Sequence, residues 1–260
     1  MDALILAAGY GSRLRPIEPC KPLTHVNGIS LLEISIRQLM SVGASKIVVA
    51  TGYRAQEVEN SLSDISKRHS VEIITRRVPD YSKPNGHSIL AAADALSDQF
   101  FLVMADHIFA HDTLRQLAGT QLGGNDAVLA IDRRVDSDLV DPDDATWVRT
   151  DATGQIVAIG KDIDRYDAVD CGAFMVNSGL IDAIKSSVAQ GKAGSLSDGM
   201  QELADRGKAG TCDIGSSWWL DVDEAQSLHL AKQQVPSQLP ELFQENALFD
   251  DALQTMASAS

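Results

Sequence analysis

Short apolar runs alternate with amphipathic stretches through the first hundred residues. Ala3 to Ala8 is a compact apolar run broken by Gly9 and Gly11, and its length and boundaries predict a buried strand. Leu31 to Val42 carries apolar residues at helical spacing, with Ser30 placed to cap the helix and Gly43 to end it. KIVVAT (46–51) is β-branched and predicts a second strand, residues 54–67 a polar-faced helix, and VEIIT (71–75) a third strand. A further helix is expected from near Gly86 through ILAAADAL, and QFFLVMAD (99–106) reads as a dense apolar strand ending on a carboxylate. Alternation of this kind calls for a mostly parallel sheet with helices on both faces.

From Asp126 the pattern changes. DAVLAID, TWVRTD and QIVAIGKD are short strand-like runs separated by turn formers at 136–144 and at Thr153-Gly154. A mixed or antiparallel extension of the sheet fits them better than further crossover units. VDCGAFMVN reads as a buried strand, residues 178–189 and 196–206 as helices, WWLDVD as a last strand end, and Glu224 to Gln234 as a helix. The expected class is therefore α/β: a Rossmann-like, mostly parallel mixed sheet flanked by helices. Residues 1–234 are expected to form one domain. Residues 235–260 are acidic, open with Pro236 and Pro240, and are expected to be a peripheral tail, helical in part and then frayed.

At 260 residues the chain is long enough for a full core in a single domain. A net charge of -14 argues against nucleic acid or an anionic membrane surface as partner. It also means that an anion site would have to concentrate the few cations locally. No stretch approaches the roughly 18 uninterrupted apolar residues of a transmembrane helix, and the N-terminal apolar run is too short for a signal peptide. Cys20, Cys171 and Cys212 are too scattered for a disulfide framework or a zinc pattern and read as small buried thiols. These features predict a cytoplasmic protein with no membrane insertion.

The chemistry begins where the first strand ends. Gly9 and Gly11 let the backbone approach a ligand, the amides after them can face an anion, and Arg13, Arg15 and Lys21 add positive charge. The spacing suits a polyphosphate. It is not a dinucleotide fingerprint, because Leu14 stands where a third glycine is needed, and it lacks the Gly-Lys-Ser/Thr ending of a Walker A loop. The combination LAAGYGSRL followed by KPL resembles the nucleotidyltransferase signature of the sugar-1-phosphate and polyol-phosphate activating enzymes. Asp106 and Asp221 sit at strand ends, where they either cap turns or share Mg²⁺ with phosphate oxygens. Asp223 either completes that metal site or caps the last helix.

The strings PNGHSILAA, MADHIF, IVAIGKDIDRYDAVDCGAFMV and WWLDVDEA extend the resemblance over roughly residues 2 to 232, to the CTP:inositol-1-phosphate cytidylyltransferases. That resemblance implies a nucleotidyltransferase fold of the glycosyltransferase-A-like type and Mg²⁺-dependent transfer from CTP to inositol 1-phosphate. It places Leu6, Ala8, Gly9, Gly11, Ser12, Arg13 and Lys21 on the nucleotide, with Arg13 and Lys21 catalytic. Asn85, Gly86 and Ser88 fall where the family contacts nucleotide, Lys161 where it holds the acceptor's phosphate, and Gly172 beside the polyol, while Asp162 and Asp170 either accept hydrogen bonds from the polyol ring or are solvated strand-end carboxylates. Archaeal relatives are fused to a membrane-embedded transferase that consumes CDP-inositol, so a separate CDP-alcohol phosphotransferase is expected downstream. A hexose 1-phosphate or phosphocholine is the alternative acceptor, phosphocholine being disfavoured by an aromatic content of only 5%. A catalytically silent nucleotide-binding regulator is the alternative of another class. Leu239, Phe243, Leu248 and Leu253 could pack on their own domain or form a homodimer.

Overall fold

The structure is a computed structural model and describes residues 1–243. β1 (Asp2–Ala7) leads through a loop and a 3-10 turn (Lys21–Leu23) into a small hairpin of β2 (His25–Val26) and β3 (Ile29–Ser30), then α1 (Leu31–Ser41), β4 (Lys46–Thr51), α2 (Ala55–His69), β5 (Glu72–Arg77), α3 (Gly86–Ala92) and β6 (Gln99–Met104). β1 lies between β4 and β6, parallel to both, and β5 continues the parallel half beyond β4. Every residue of β1 is buried, as a central parallel strand covered on both faces must be. Ser30 caps α1 by accepting the Glu33 amide at 3.2 Å.

The second half is built of β7 (His107–Phe109), α4 (His111–Gly119), β8 (Ala127–Asp132), β9 (Trp147–Thr150), β10 (Ile156–Gly160), β11 (Ala168–Asn177), α5 (Ser178–Ala189), α6 (Leu196–Asp205), β12 (Ala209–Asp213), β13 (Trp219–Asp221) and α7 (Ala225–Gln238). β11 joins the halves by pairing antiparallel with β6, β8 and β9, and β10 adds antiparallel to β9. The expected mixed extension is thus present, with β12 parallel to β8 at its margin. Two apolar clusters cover the faces of the sheet, and a third joins Leu14, Ile34, Ile108 and Leu220 to Leu228 and Val235 of α7. Among the described residues no helix is long and apolar enough to cross a membrane.

Several elements differ from the sequence pattern. The β2–β3 hairpin and the three-residue β7 are too short to show a period. α4 buries only Thr113, Leu114 and Leu117, which is a thin apolar stripe. β12 (AGTCD) has weak strand composition; its Gly210 admits the Asn125 side chain, since a Cβ there would lie 2.6 Å from Asn125 Nδ2. The last helix also runs past its expected end at Gln234 and past Pro236. A proline at 236 cannot donate to the Lys232 carbonyl four residues back. Asn27 Nδ2 donates to that carbonyl instead, at 3.1 Å. Leu239 and Leu242 are buried in the third cluster of this same chain, whereas Phe243 is exposed; Leu248, Leu253 and the expected frayed end lie outside the described residues.

Glu33 knots these elements together. Its carboxylate is buried on α1 and meets Arg37, Arg68 at 2.8 Å and His69 Nε2 at 2.8 Å, while Arg37 also donates to the Leu242 carbonyl at 2.5 Å. Burial pushes the Glu33 carboxyl upward, but His69, Arg68 and Arg37 outweigh it and hold it below its ordinary value. A depressed carboxylate adds stability that is present above its unfolded value near 4.5 and is lost as pH falls through the folded one. Replacing Glu33 with Gln should therefore cost about 1–3 kcal/mol near pH 7, by loss of charge-assisted hydrogen bonds. Urea unfolding at a series of pH values should also show a shallower loss of stability below about pH 5 in the variant than in the parent.

Candidate active site

β1, β4 and β6 are parallel, so their carboxyl ends meet at one edge of the sheet, where α/β folds of this kind place ligands. The loop leaving β1 is anchored by Leu14, which is fully buried in the third cluster. Gly11 has φ +59, and a Cβ there would lie 2.8 Å from Lys21 Cβ, so only glycine lets this loop pass over the lysine stem. Lys21 itself opens the 3-10 turn with Pro22 behind it, and its side chain is mostly buried.

A short ribbon supplies the carboxylates. β13 pairs antiparallel with β7, setting Asp221 opposite His107, and Asp106 directly precedes His107. Lys21 Nζ lies 2.5 Å from Asp106 and 4.0 Å from Asp221. His107 Nδ1 donates to Asp106 Oδ1 at 2.8 Å and lies 3.7 Å from Asp221. The imidazole stacks against Phe109 and Trp219, with ring centres 6.2 and 6.0 Å away. Trp219 is held in turn by its N–H on the fully buried Asp132, at 2.8 Å. Gly172, at a bulge in β11 with φ +77, completes the clamp: a Cβ there would stand 2.5 Å from His107 Cδ2.

These contacts fix the protonation states. Burial disfavours a charged His107, yet Asp221 and Asp106 outweigh it and raise the imidazole to about 9, so it is a cation at neutral pH. Burial likewise works against a charged Lys21, but Asp106 and Asp221 raise it. Asp106 is driven the other way: burial opposes its charge, and Lys21 and His107 overcome that and hold it far below the usual carboxylate range. Asp221 is raised by burial, with His107 opposing. Asp223 is raised to about 7 by burial and by Asp221 beside it, against the pull of Lys21 and Arg13.

Asp221 Oδ1 is buried without a hydrogen-bond partner, since its nearest cations stand at 3.7 and 4.0 Å. Asp144, Asp221 and Asp223 can bring carboxylate oxygens within 4.8 Å of one another, and Asp106 lies beside Asp221 across His107. An all-oxygen donor set with an unsatisfied buried oxygen suits a hard divalent cation. His107 stands with Asp106 and Asp221 in a second such cluster of donor atoms, and its Nδ1 holds Asp106 at 2.8 Å.

A cavity of about 560 Å³ gathers these groups. Arg13, Lys21 and Lys161 line it, with Asp106, Asp170, Asp221, Asp223, Asn85 and Gly172, under the segment from Asp138 to Thr146. Arg13 pairs with Asp141 at 3.3 Å and with Asp144 and Asp223; Lys161 Nζ reaches Asp144 at 2.5 Å. Asp170 faces the cavity with Oδ1 accepting the Gly172 amide at 2.7 Å; burial raises its carboxyl to about 6.

Several residues singled out from the sequence stand elsewhere. Leu6 and Ala8 are buried beneath the loop, Gly9, Gly11 and Ser12 belong to the loop beside the cavity, and Asp162 is exposed outside its lining. Gly86 is required by packing, since a Cβ would collide with the Gly194 carbonyl, and Ser88 is buried on α3 away from the cavity. Asn85 reaches the cavity but spends its side-chain oxygen on the Leu196 amide, at 2.8 Å. Arg15 lies over the Tyr10 ring, 4.3 Å from its centre, and contributes nothing to the cavity wall. Three groups escaped the sequence reading: His107, whose only sign was its place after Asp106, and Asp141 and Asp144, which read as turn formers.

Over residues 3–162 the chain matches the MobA-like NTP transferase domain. It is 35% identical over 237 residues to the bifunctional IPC transferase and DIPP synthase of Rubrobacter xylanophilus, covering 90% of this chain and 52% of that protein. The protein of the same name from Aquifex aeolicus is 29% identical, over 89% of this chain and 51% of its own length. The chain thus spans about half the length of these curated relatives. The fold superposes on the solved inositol-1-phosphate CTP transferase from T. maritima with a TM-score of 0.78 at 25% identity, covering 91% of this chain and 96% of that one. Sheet order, loop and family match agree: the chain belongs to the family of MobA-like NTP transferase domains.

Proposed function

We propose that this domain transfers a cytidylyl group from CTP to the phosphate of inositol 1-phosphate, giving CDP-inositol and pyrophosphate. One observation carries the reading: Arg13, Lys21 and Lys161 line a single cavity together with the strand-end pair Asp106 and Asp221. The likeness to the T. maritima inositol-1-phosphate CTP transferase over nearly the whole of both chains supports the substrate pair.

A phosphomonoester has its second pKa near 6, so at neutral pH its oxygen attacks without a general base. A bond forms between that oxygen and the α-phosphorus of CTP while the bond from α-phosphorus to the pyrophosphate oxygen breaks, the electron pair leaving with pyrophosphate. The obstacle is electrostatic, and fixed cations answer it. Lys21, held charged and nearly immobile by Asp106, stabilises the α-phosphate as negative charge builds there. Arg13 takes the triphosphate and Lys161 the acceptor's phosphate. Asp106 and Asp221, with Asp223 beside them, would hold Mg²⁺, which when bound supplies neutralisation of phosphate charge. His107 keeps Asp106 aimed at the cavity. The CDP-polyol product requires a further CDP-alcohol phosphotransferase activity to consume it.

The test is pyrophosphate release across CTP, UTP, GTP, ATP and dTTP, each with inositol 1-phosphate, glucose 1-phosphate and phosphocholine. Turnover should peak at CTP with inositol 1-phosphate; a peak at another pair sinks the substrate assignment. Lys21→Ala should lower kcat by about 10²–10³, the loss expected for one preorganised donor to transition-state charge. Lys161→Ala should instead raise the acceptor KM about ten-fold with kcat little changed, as loss of uniform binding does. Comparable small effects from both would remove the division of roles. Chelation by EDTA should abolish release, Mg²⁺ should restore it, and Asp221→Asn should raise the Mg²⁺ concentration needed for half-maximal rate.

A further inference from the structure

The cations of the cavity are outnumbered. Its lining carries nine Asp or Glu against three Lys or Arg, and much of the acid comes from one loop. Between β8 and β9 the chain places Asp136, Asp138, Asp141, Asp143 and Asp144 within nine residues, and the cavity is lined from Asp138 onward. The loop is held by the cations it faces. Asp144 takes Lys161 on one oxygen and Arg13 on the other, and Asp141 takes Arg13 at 3.3 Å. One carboxylate is therefore the counter-ion of both groups assigned above to phosphate.

Filling the site must rearrange these pairs. When phosphates take Arg13 and Lys161, Asp144 loses the cation on each of its oxygens, and Asp141 loses Arg13 and keeps only the Asp143 amide on Oδ1, at 3.0 Å. An ionised carboxylate has only acceptor atoms and needs donors in exchange. Polyol hydroxyls are such donors, whereas a second phosphate is one more anion facing unpaired carboxylates. Asp170, on the wall formed by β11, has its second oxygen available for the same purpose.

We infer that this aspartate loop selects the acceptor: Asp141 and Asp144 exchange Arg13 and Lys161 for hydroxyl donors of a singly phosphorylated polyol, and they reject a polyol bearing a second phosphate. The inference rests on the proposed transfer to a polyol phosphate and adds the charge class of the acceptor. Neither side chain is buried, so either can be replaced without opening the core.

The experiment is a calorimetric titration of the full chain with myo-inositol 1-phosphate and with myo-inositol 1,4-bisphosphate. Mg²⁺ is present, with a CTP analogue carrying a methylene between the α- and β-phosphorus. The parent should bind the monophosphate at least about ten-fold more tightly, because like charges brought together at an interface discriminate strongly. In Asp144→Asn and in Asp141→Asn the ratio should fall below about three-fold, chiefly through tighter bisphosphate binding. Equal binding of the two by the parent, an unchanged ratio in both variants, or no binding of either overturns the inference. Pyrophosphate release measured in parallel separates it from the reading beneath it. Selective binding without release removes transfer and leaves selection standing; release with both acceptors alike removes selection and leaves transfer.

Discussion

A protonated histidine fixed between two carboxylates sets the geometry on which the cavity depends. His107 and Lys21 are cations in a largely buried setting, which is tolerable only because Asp106 and Asp221 face both of them. The carboxylates come from segments more than a hundred residues apart and meet through the three-residue pairing of β7 with β13. Phe109, Trp219 and Gly172 define the space left for the imidazole, and Asp132 fixes Trp219. Because each group has little freedom, the cavity floor is preorganised, and the charge developing in a phosphoryl transfer would meet dipoles and cations already in place.

The parallel half of the fold was legible because its signals are local. β-branched runs, helical periods and the Ser30 cap each occupy a few consecutive residues, and the structure places β1, α1, β4 and β6 where those patterns predict. The rest depended on partners far along the chain. β7 is a strand only because β13 lies beside it. Pro236 reads as a helix terminator, and it fails to be one because a side chain 209 positions earlier, that of Asn27, satisfies the carbonyl it abandons.

The site shows the same division. Arg13, Lys21, Asp106 and Asp221 sit in motif context, and the structure gathers them around one cavity. Glycines were harder to interpret. A glycine that lets a ligand approach and one that lets a neighbouring side chain approach have the same letter; at Gly172 the neighbour is His107, at Gly86 it is the Gly194 carbonyl. Asp141 and Asp144 were hidden for the opposite reason, since aspartates in a Pro-containing loop already have an explanation as turn formers.

The bond from Asn27 to the Lys232 carbonyl, with Leu14 buried in the cluster that α7 completes, bears on how the chain reaches its native state. The loop after β1 is made long before α7, yet the apolar wall that receives its Leu14 includes that helix. On the ribosome the N-terminal strands can pair as they emerge, whereas that loop has no finished seat until Leu228, Ala231 and Val235 have left the exit tunnel. Contacts of such long sequence separation form late, because closing a long loop precedes any gain from the contact. The loop after β1 thus gains its full seat only once α7 has been made, when the rest of the sheet is already in place.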